Sequence, residues 1–395
     1  MTDATTTDAI LAINAGSSSL KFALYEAESL ALLCRGGVSG LGGGARLETS
    51  GSLVLTGAPP PACDHTGAVA WLLDALRRVP GLAVRAAGHR VVHGGRDFAA
   101  PVQVDDEVLA RLDRLVPLAS GHQPLNLAGL RAVAEAWPGL PQIACFDTAF
   151  HRSQPRLAQL FPIPRALSDE GLLRYGFHGL SYEHVAAVLP EVAGPRAEGR
   201  VIVAHLGHGA SLCALRNRRS IASTMGLTAL DGLMMGTRSG SVDPGLVLHL
   251  LRERGLSPDE VADLLNARSG LLGVSGISDD VRVLQASDDP RAAEALDLFA
   301  YRAVREAGSL VAALGGLDAV VFTAGIGEHA PRMRAAIAAG LAAFGVALDP
   351  ARNAGGERCI SQAGSRVAVY VVPANEELPI ARAVVRCLAE AASRG

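Results

Sequence analysis

The chain has 395 residues, of which 49% are hydrophobic and 19% charged, with a formal net charge of −3 at pH 7. That length predicts two domains, each large enough for its own core, and the near-neutral charge gives no polyanion-binding signature, so no nucleic-acid partner is expected. Six cysteines stand without CxxC or Cys/His spacing, which argues against zinc and for reduced thiols in the cytoplasm.

The first residues, Met1-Thr-Asp-Ala-Thr-Thr-Thr-Asp8, are polar and acidic and do not read as a signal peptide. No uncharged run approaches the ~20 apolar residues of a membrane span, so no membrane partner is expected. Strand-like runs at 9–14, 20–26 and 30–36 follow one another through short Gly/Ser turns, an antiparallel opening to a sheet. The first turn lies in Asn14-Ala-Gly-Ser-Ser-Ser-Leu-Lys21, whose small residues admit an anion and whose hydroxyl and N–H groups donate to it. Lys21 is the one lysine among 36 basic residues. Arginine serves equally well on a solvated surface, so a retained lysine marks a place where a compact ammonium is needed, as at a phosphate. It is not a Walker A loop, since a strand follows; a serine-rich hairpin is the other reading.

Residues 40–44 and 59–61 read as loop, and helical periodicity follows at 67–79, 105–116 and 126–136, with strands at 85–92 and 142–147. Gly88-His-Arg-Val-Val-His-Gly-Gly95 presents Arg90 at a buried strand end, a planar fork suited to carboxylate or phosphate or else a structural ion pair. Cys145-Phe-Asp-Thr-Ala-Phe-His151 puts Asp147 just past an apolar strand, where α/β proteins place site residues. Tyr175-Gly-Phe-His-Gly-Leu-Ser181 sets His178 between glycines.

The same grammar restarts at 201–206 with the turn Gly207-His-Gly-Ala, then strands at 211–216 and 220–224, which suggests an internal duplication. Met234-Met-Gly-Thr-Arg-Ser-Gly-Ser-Val-Asp-Pro244 carries Arg238 in a loop. Helices are expected at 244–254, 258–266, 291–315 and 331–344, strands at 318–323 and 366–372, and a last helix from about 376. Thr323-Ala-Gly-Ile-Gly-Glu-His-Ala-Pro331 reads as a strand-to-helix turn offering N–H groups to a nucleotide. Pro373-Ala-Asn-Glu-Glu377 supplies carboxylates after a strand, a magnesium position.

In this order the segments resemble the acetate kinase family, from about residue 9 to 390. The resemblance implies an α/β fold of two duplicated domains like that of actin, Hsp70 and sugar kinases, with a central nucleotide cleft. Residues 1–150, completed by the C-terminal helix at about 380–395, would form the acyl and phosphate side, and 151–379 the nucleotide-binding side. It implies reversible, direct transfer of the ATP γ-phosphoryl to acetate, giving acetyl phosphate and ADP, with magnesium or manganese and as a homodimer.

By position, the resemblance has Asn14 and Glu376 hold magnesium, and Ser17, Ser19 and Lys21 line the phosphate path. Arg90, Arg238, His122, His178 and Asp147 would be catalytic, and Arg90, Val92, Phe177 and Ala229 would meet the acyl substrate. The nucleotide would meet His205, Leu206, Gly207, His208 and Gly209, then Asp280, Val281 and Arg282, then Gly325, Ile326, Gly327, Glu328 and His329. The chain departs from the family at His208 and His329, where asparagine is common. It also has Ser120-Gly-His where Pro-Leu-His is frequent, and Ala229 where many members carry proline. Less bulk near the acyl group makes propionate or another short acyl chain the alternative substrate. A non-catalytic clamp-fold binding protein is the remaining reading, opposed by the retained arginines, His178 and Glu376.

Overall fold

Strand β1 (Thr7–Ala15) is buried over its last seven residues, so its continuous apolar run needs cover on both faces. The computed structural model describes residues 6–16 and 19–393. The chain divides into two compact units, Met1–Phe150 with Asn375–Gly395, and His151–Ala374.

In the first unit, β1 is followed by β2 (Ser19–Glu26), β3 (Leu32–Ser39), β4 (Arg46–Gly51), α1 (His65–Arg77), β5 (Leu82–Val91), β6 (Val102–Gln103), α2 (Asp106–Asp113), α3 (Gln123–Ala136) and β7 (Gln142–Phe146). The sheet runs β4-β3-β2-β1-β5-β7-β6. β1 to β4 pair antiparallel, while β1, β5 and β7 are parallel. Asp64 and Asp105 start α1 and α2 by accepting N–H bonds from Gly67 and Val108. Leu11, Ile13, Phe22 and Ala87 pack with Leu72, Leu76 and Val133 in the core under α1 and α3. The neighbour of Ala87, Gly88, faces the other way, and a Cβ there would lie 2.4 Å from Ile380 and 2.7 Å from Val384. Gly88 therefore lets the last helix of the chain, Glu377–Ala392, lie against β1, β5 and β7.

The second unit contains α4 (Arg156–Gln159), α5 (Arg165–Asp169), α6 (Gly179–Ala193), β8 (Arg200–Leu206), β9 (Ala210–Arg216), β10 (Arg219–Ser223), α7 (Pro244–Arg252), α8 (Pro258–Ala267), α9 (Gly270–Ser275), α10 (Val281–Gln285), α11 (Pro290–Leu314), β11 (Ala319–Thr323), α12 (Ala324–His329), α13 (Pro331–Gly340), α14 (Pro350–Gly355) and β12 (Ala368–Val371). Its sheet order is β10-β9-β8-β11-β12, with β8 to β10 antiparallel and β8, β11 and β12 parallel. The run β3-β2-β1-β5-β7 of the first unit has the same order and directions, so the two sheets repeat one topology. Pro258 opens α8 behind a Ser257–Glu260 capping box, and Gly315 closes α11 in the left-handed region.

Several local expectations change. β4 and α6 are additional elements: β4 is an exposed edge strand in glycine-rich sequence, and α6 begins amid glycine and carries Pro190 inside. The expected helix 331–344 stops at Gly340, where a Cβ would lie 2.5 Å from the Val304 side chain. The first unit resumes at Asn375, ahead of 380, because the Asn375 carboxamide oxygen accepts from Tyr25 Oη at 3.4 Å and from the Leu378 N–H at 3.1 Å. Among the described residues, no helix is long and apolar enough to cross a membrane.

Candidate active site

The parallel strands of the first unit end together, and their carboxyl ends carry its candidate residues. Asn14 and Arg90 each lie one residue from the ends of β1 and β5, and Asp147 follows β7. Arg90 grips Asp147 in a fork, Nη2 donating to Oδ2 at 2.6 Å and Nε to Oδ1 at 3.0 Å, while Nη1 donates to Asn14 Oδ1 at 3.1 Å. Asn14 in turn donates from Nδ2 to Glu376 Oε2 at 2.7 Å. Burial works against the Arg90 charge, but Asp147 and Glu376 more than offset it and raise its pKa. The neighbouring Glu377 is buried and its pKa is raised, by burial first and by Glu376 second, although Arg35 and Lys21 oppose this.

Lys21 is exposed on β2 and stands directly opposite Asn14 in register, which puts both side chains on one face. Ser19 closes the turn by accepting the Gly16 N–H at 2.8 Å; Ser17 lies outside the described residues. His122 caps the start of α3 without a side-chain cap bond, partly exposed. Val92 is almost wholly buried, 2% exposed, and its N–H donates to Asn126 Oδ1 at 3.0 Å.

Asn126 and Gln123 went unnoticed in the sequence, where they read as ordinary polar helix residues. Asn126 also donates to the Ala15 carbonyl at 2.9 Å, and Gln123 bonds both the N–H and the carbonyl of His93. Asn126 thus ties the end of β1 to the segment after β5, and Gln123 fixes the backbone of that segment at His93.

In the second unit, β8 and β11 are parallel neighbours that end at the same level, His205 opposite Thr323. The turn Gly207–Gly209 follows β8, with Leu206 before it fully buried. A Cβ on Gly209 would lie 2.6 Å from Arg238 Nη2 and 3.2 Å from His178 Nε2. Arg238 and His178 thus converge over a glycine that leaves them room. Arg238 Nη1 donates to the carbonyl of Ala229 at 2.6 Å. His178 heads α6 at φ 57°, a left-handed conformation unusual for a side-chain-bearing residue. Its approach is built by His151, whose ring lies where a Cβ on Gly176 would be, 2.7 Å away. His151 also bonds the carbonyl of Phe177, itself 1% exposed, and Ser220 Oγ, both at 2.9 Å. Burial depresses the pKa of His151 to about 4 against a weaker opposing bond to Phe177, so it is a neutral structural histidine.

His208 Nε2 lies 3.0 Å from Asp279 Oδ2, and its ring packs where a Cβ on Gly236 would be. It joins the glycine turn to the Arg238 loop and to the segment before α10. Asp280, expected at the nucleotide, caps α10 by accepting the Arg282 N–H at 2.8 Å, and Arg282 folds back onto it in an exposed pair. Val281 between them is buried.

The segment 323–331 is not an open turn. Ala324–His329 forms α12 directly at the end of β11, with Ala324 at φ 66°. Gly325 and His329 are exposed, Ile326 and Glu328 partly so, and Gly327 is buried. Glu328 Oε1 accepts the Ala374 N–H at 2.9 Å. The fully buried Arg334 donates to the carbonyls of Gly327 and Glu328 at 2.9 and 2.7 Å and to Asn353. Its role had no sequence signal beyond one more arginine on a helix.

The family model described as the Acetokinase family matches residues 9–382. An acetate kinase from Rhodopseudomonas palustris is 53% identical over 393 residues, covering 96% of this chain and 98% of that protein. Among solved structures, an acetate kinase from Porphyromonas gingivalis aligns with TM-score 0.84 and 36% identity over 96% of this chain and 100% of its own. A propionate kinase from Francisella tularensis aligns with TM-score 0.88 and 34% identity over 95% and 98%. With its motifs in order along two sheets of one topology, this chain belongs to the acetokinase family.

Proposed function

We propose that the protein is an acetate kinase, transferring the γ-phosphoryl of ATP directly to acetate and, in reverse, from acetyl phosphate to ADP. The observation that carries this reading is the pair of arginines held ready at strand and loop ends: Arg90 in its Asp147–Asn14 fork, and Arg238 beside His178 over Gly209. A carboxylate attacking a phosphoryl group is anion meeting anion, so fixed positive charge and N–H donors must lower the repulsion. Acetate is ionised at neutral pH and needs no strong base. Arg90 would hold the carboxylate and Arg238 and His178 the moving phosphoryl, while positioning supplies the remaining rate.

The donor set fits magnesium. It characteristically takes one or two carboxylates and completes its octahedron with phosphate oxygens and water, and Glu376 offers such a carboxylate. Asn14, whose oxygen accepts from Arg90, would orient Glu376 through its N–H. The bound ion would neutralise phosphate charge; manganese, with the same taste for oxygen, would substitute.

A homodimer is supported by α7, which buries no residue and exposes Leu246 and Leu248 near the exposed Val242; light scattering would read the mass. A cytoplasmic location is supported by six cysteines that form no disulfide.

The test is purified protein with ATP, magnesium and acetate in the presence of hydroxylamine, which traps acyl phosphate. Absence of hydroxamate at any short carboxylate would sink the reading. Propionate is the second substrate to compare, because Ala229 and Gly121 add little bulk and a Cβ on Gly121 would meet nothing within 4 Å. One methylene is worth roughly 1–3 kcal/mol in an apolar pocket, so kcat/KM for propionate is expected within about tenfold of acetate. A hundredfold preference for acetate would show that other side chains fill the space.

A further inference from the structure

His178 does not stand alone behind the glycine turn. Its Nδ1 lies 2.8 Å from Ser211 Oγ, and Ser211 Oγ lies 2.5 Å from Tyr182 Oη. Ser211 on β9 and Tyr182 on α6 are both wholly buried. The ring of His205 stacks on that of His178, centroids 4.2 Å apart and planes at 19°. His205 is held in the same way, its Nδ1 2.8 Å from Ser181 Oγ. We propose that Tyr182 and Ser211 form a hydrogen-bond relay that fixes His178 as the Nε2–H tautomer, making both of them positioning residues for phosphoryl transfer.

The inference rests on the reading of His178 as a donor to the phosphoryl group, and hydrogen counting carries it further. Serine has one proton to give and two lone pairs; neutral imidazole has one N–H and one bare nitrogen. Burial, and the nearby Cys213, raise the Tyr182 pKa well above its usual value despite the Ser211 bond, so the phenol keeps its proton. If Tyr182 donates to Ser211, the serine proton goes to Nδ1 of His178, and the imidazole proton must sit on Nε2. That is the nitrogen nearest the space above Gly209, beside Arg238 Nη2. The reversed chain would leave Nε2 a bare lone pair facing a phosphoryl oxygen, which repels where catalysis needs a donor. The left-handed backbone of His178 and the stacked His205 ring hold the imidazole against rotation, so the choice of tautomer is made by the serine.

The experiment is two-bond ¹H–¹⁵N correlation on full-length protein labelled at histidine nitrogens, at about pH 8, where an ordinary imidazole is neutral. His178 is assigned by the signals lost in His178→Asn. The wild type is expected to show a protonated, pyrrole-type Nε2 and a pyridine-type Nδ1 at His178. Tyr182→Phe, which keeps the ring, should move these shifts toward a tautomer mixture. It should also lower kcat about tenfold while KM for both substrates stays within about threefold. Ser211→Ala should act in the same direction and more strongly. A pyrrole-type Nδ1 in the wild type would overturn the proposal, as would Tyr182→Phe leaving both the shifts and kcat unchanged. Because the tautomer is read without turnover, a wild type that makes no acyl phosphate would defeat the functional reading separately.

Discussion

Charge and shape at single residues decide whether this site can work. Arg90 uses all three faces of its fork, two on Asp147 and one on Asn14. A lysine keeps the charge but cannot make those bonds together. Arg90→Lys is therefore expected to lose on the order of 10²-fold in kcat/KM while its melting temperature stays close to wild type. Retention of a third of the activity would mean that charge alone suffices there. Gly209 tests the other cluster. It does not sit at positive φ, so alanine strains no backbone, and its cost is the collision of its methyl with Arg238 Nη2 at 2.6 Å. Gly209→Ala should fold normally, move the guanidinium, and lower kcat by about 10²-fold, since misplacement of about 1 Å costs that much. Unchanged kcat would show that Arg238 works from another position.

At the scale of elements, the last helix is the part whose placement has the widest effect. Glu376 stands at its N-terminal cap and Glu377 in its first turn, while Ile380 and Val384 seat it on Gly88. Gly88→Ala puts a methyl into branched side chains that cannot swing away, a cost of about 1–3 kcal/mol for overpacking. The helix must lift, and Glu376 with it. The variant is expected to melt lower and to need several-fold more magnesium for half-maximal rate, which a magnesium titration alongside thermal unfolding measures. A lower melting point with an unchanged magnesium requirement would show that Glu376 is held independently of the helix, through Asn14.

For the molecule as a whole, the buried His89 and His151 make stability fall in acid. Burial lowers the pKa of His151 to about 4 and that of His89 to about 3. In the unfolded chain both protonate near ~6.5. Between that value and the folded one the unfolded state binds more protons, so the stability they allow is full above about 6.5 and falls as pH drops toward 4 and then 3. At about pH 5 each should have removed on the order of 2 kcal/mol. Urea unfolding between neutral and mildly acidic pH should therefore show stability declining, with these two histidines contributing nearly two protons per molecule. His151→Gln, whose amide can still meet Ser220 or the Phe177 carbonyl, should remove about one of them. An identical slope in that variant would mean that His151 is protonated in the folded protein.

The sequence alone determined the alternation of strands and helices, the repeat of an opening hairpin, and the candidate residues that follow apolar strands. These are properties of local chemistry: periodicity, turn residues and strand ends. Arg90, Asp147, His178 and Arg238 were legible because glycines or strand ends bracket them in sequence. The partners that give these residues their geometry were not legible, because they come from distant segments that fold against them. Asn126 reaches Ala15 across 111 positions, Asn14 meets Glu376 across 362, and Ser211 meets His178 across 33. Nor could local pattern show that His208 meets Asp279 across 71 positions, or that Gly325 lies in a helix rather than a turn. The buried partners are settled by which donor finds which acceptor after the chain has closed, since a buried polar group must be paired, and tertiary packing alone decides that.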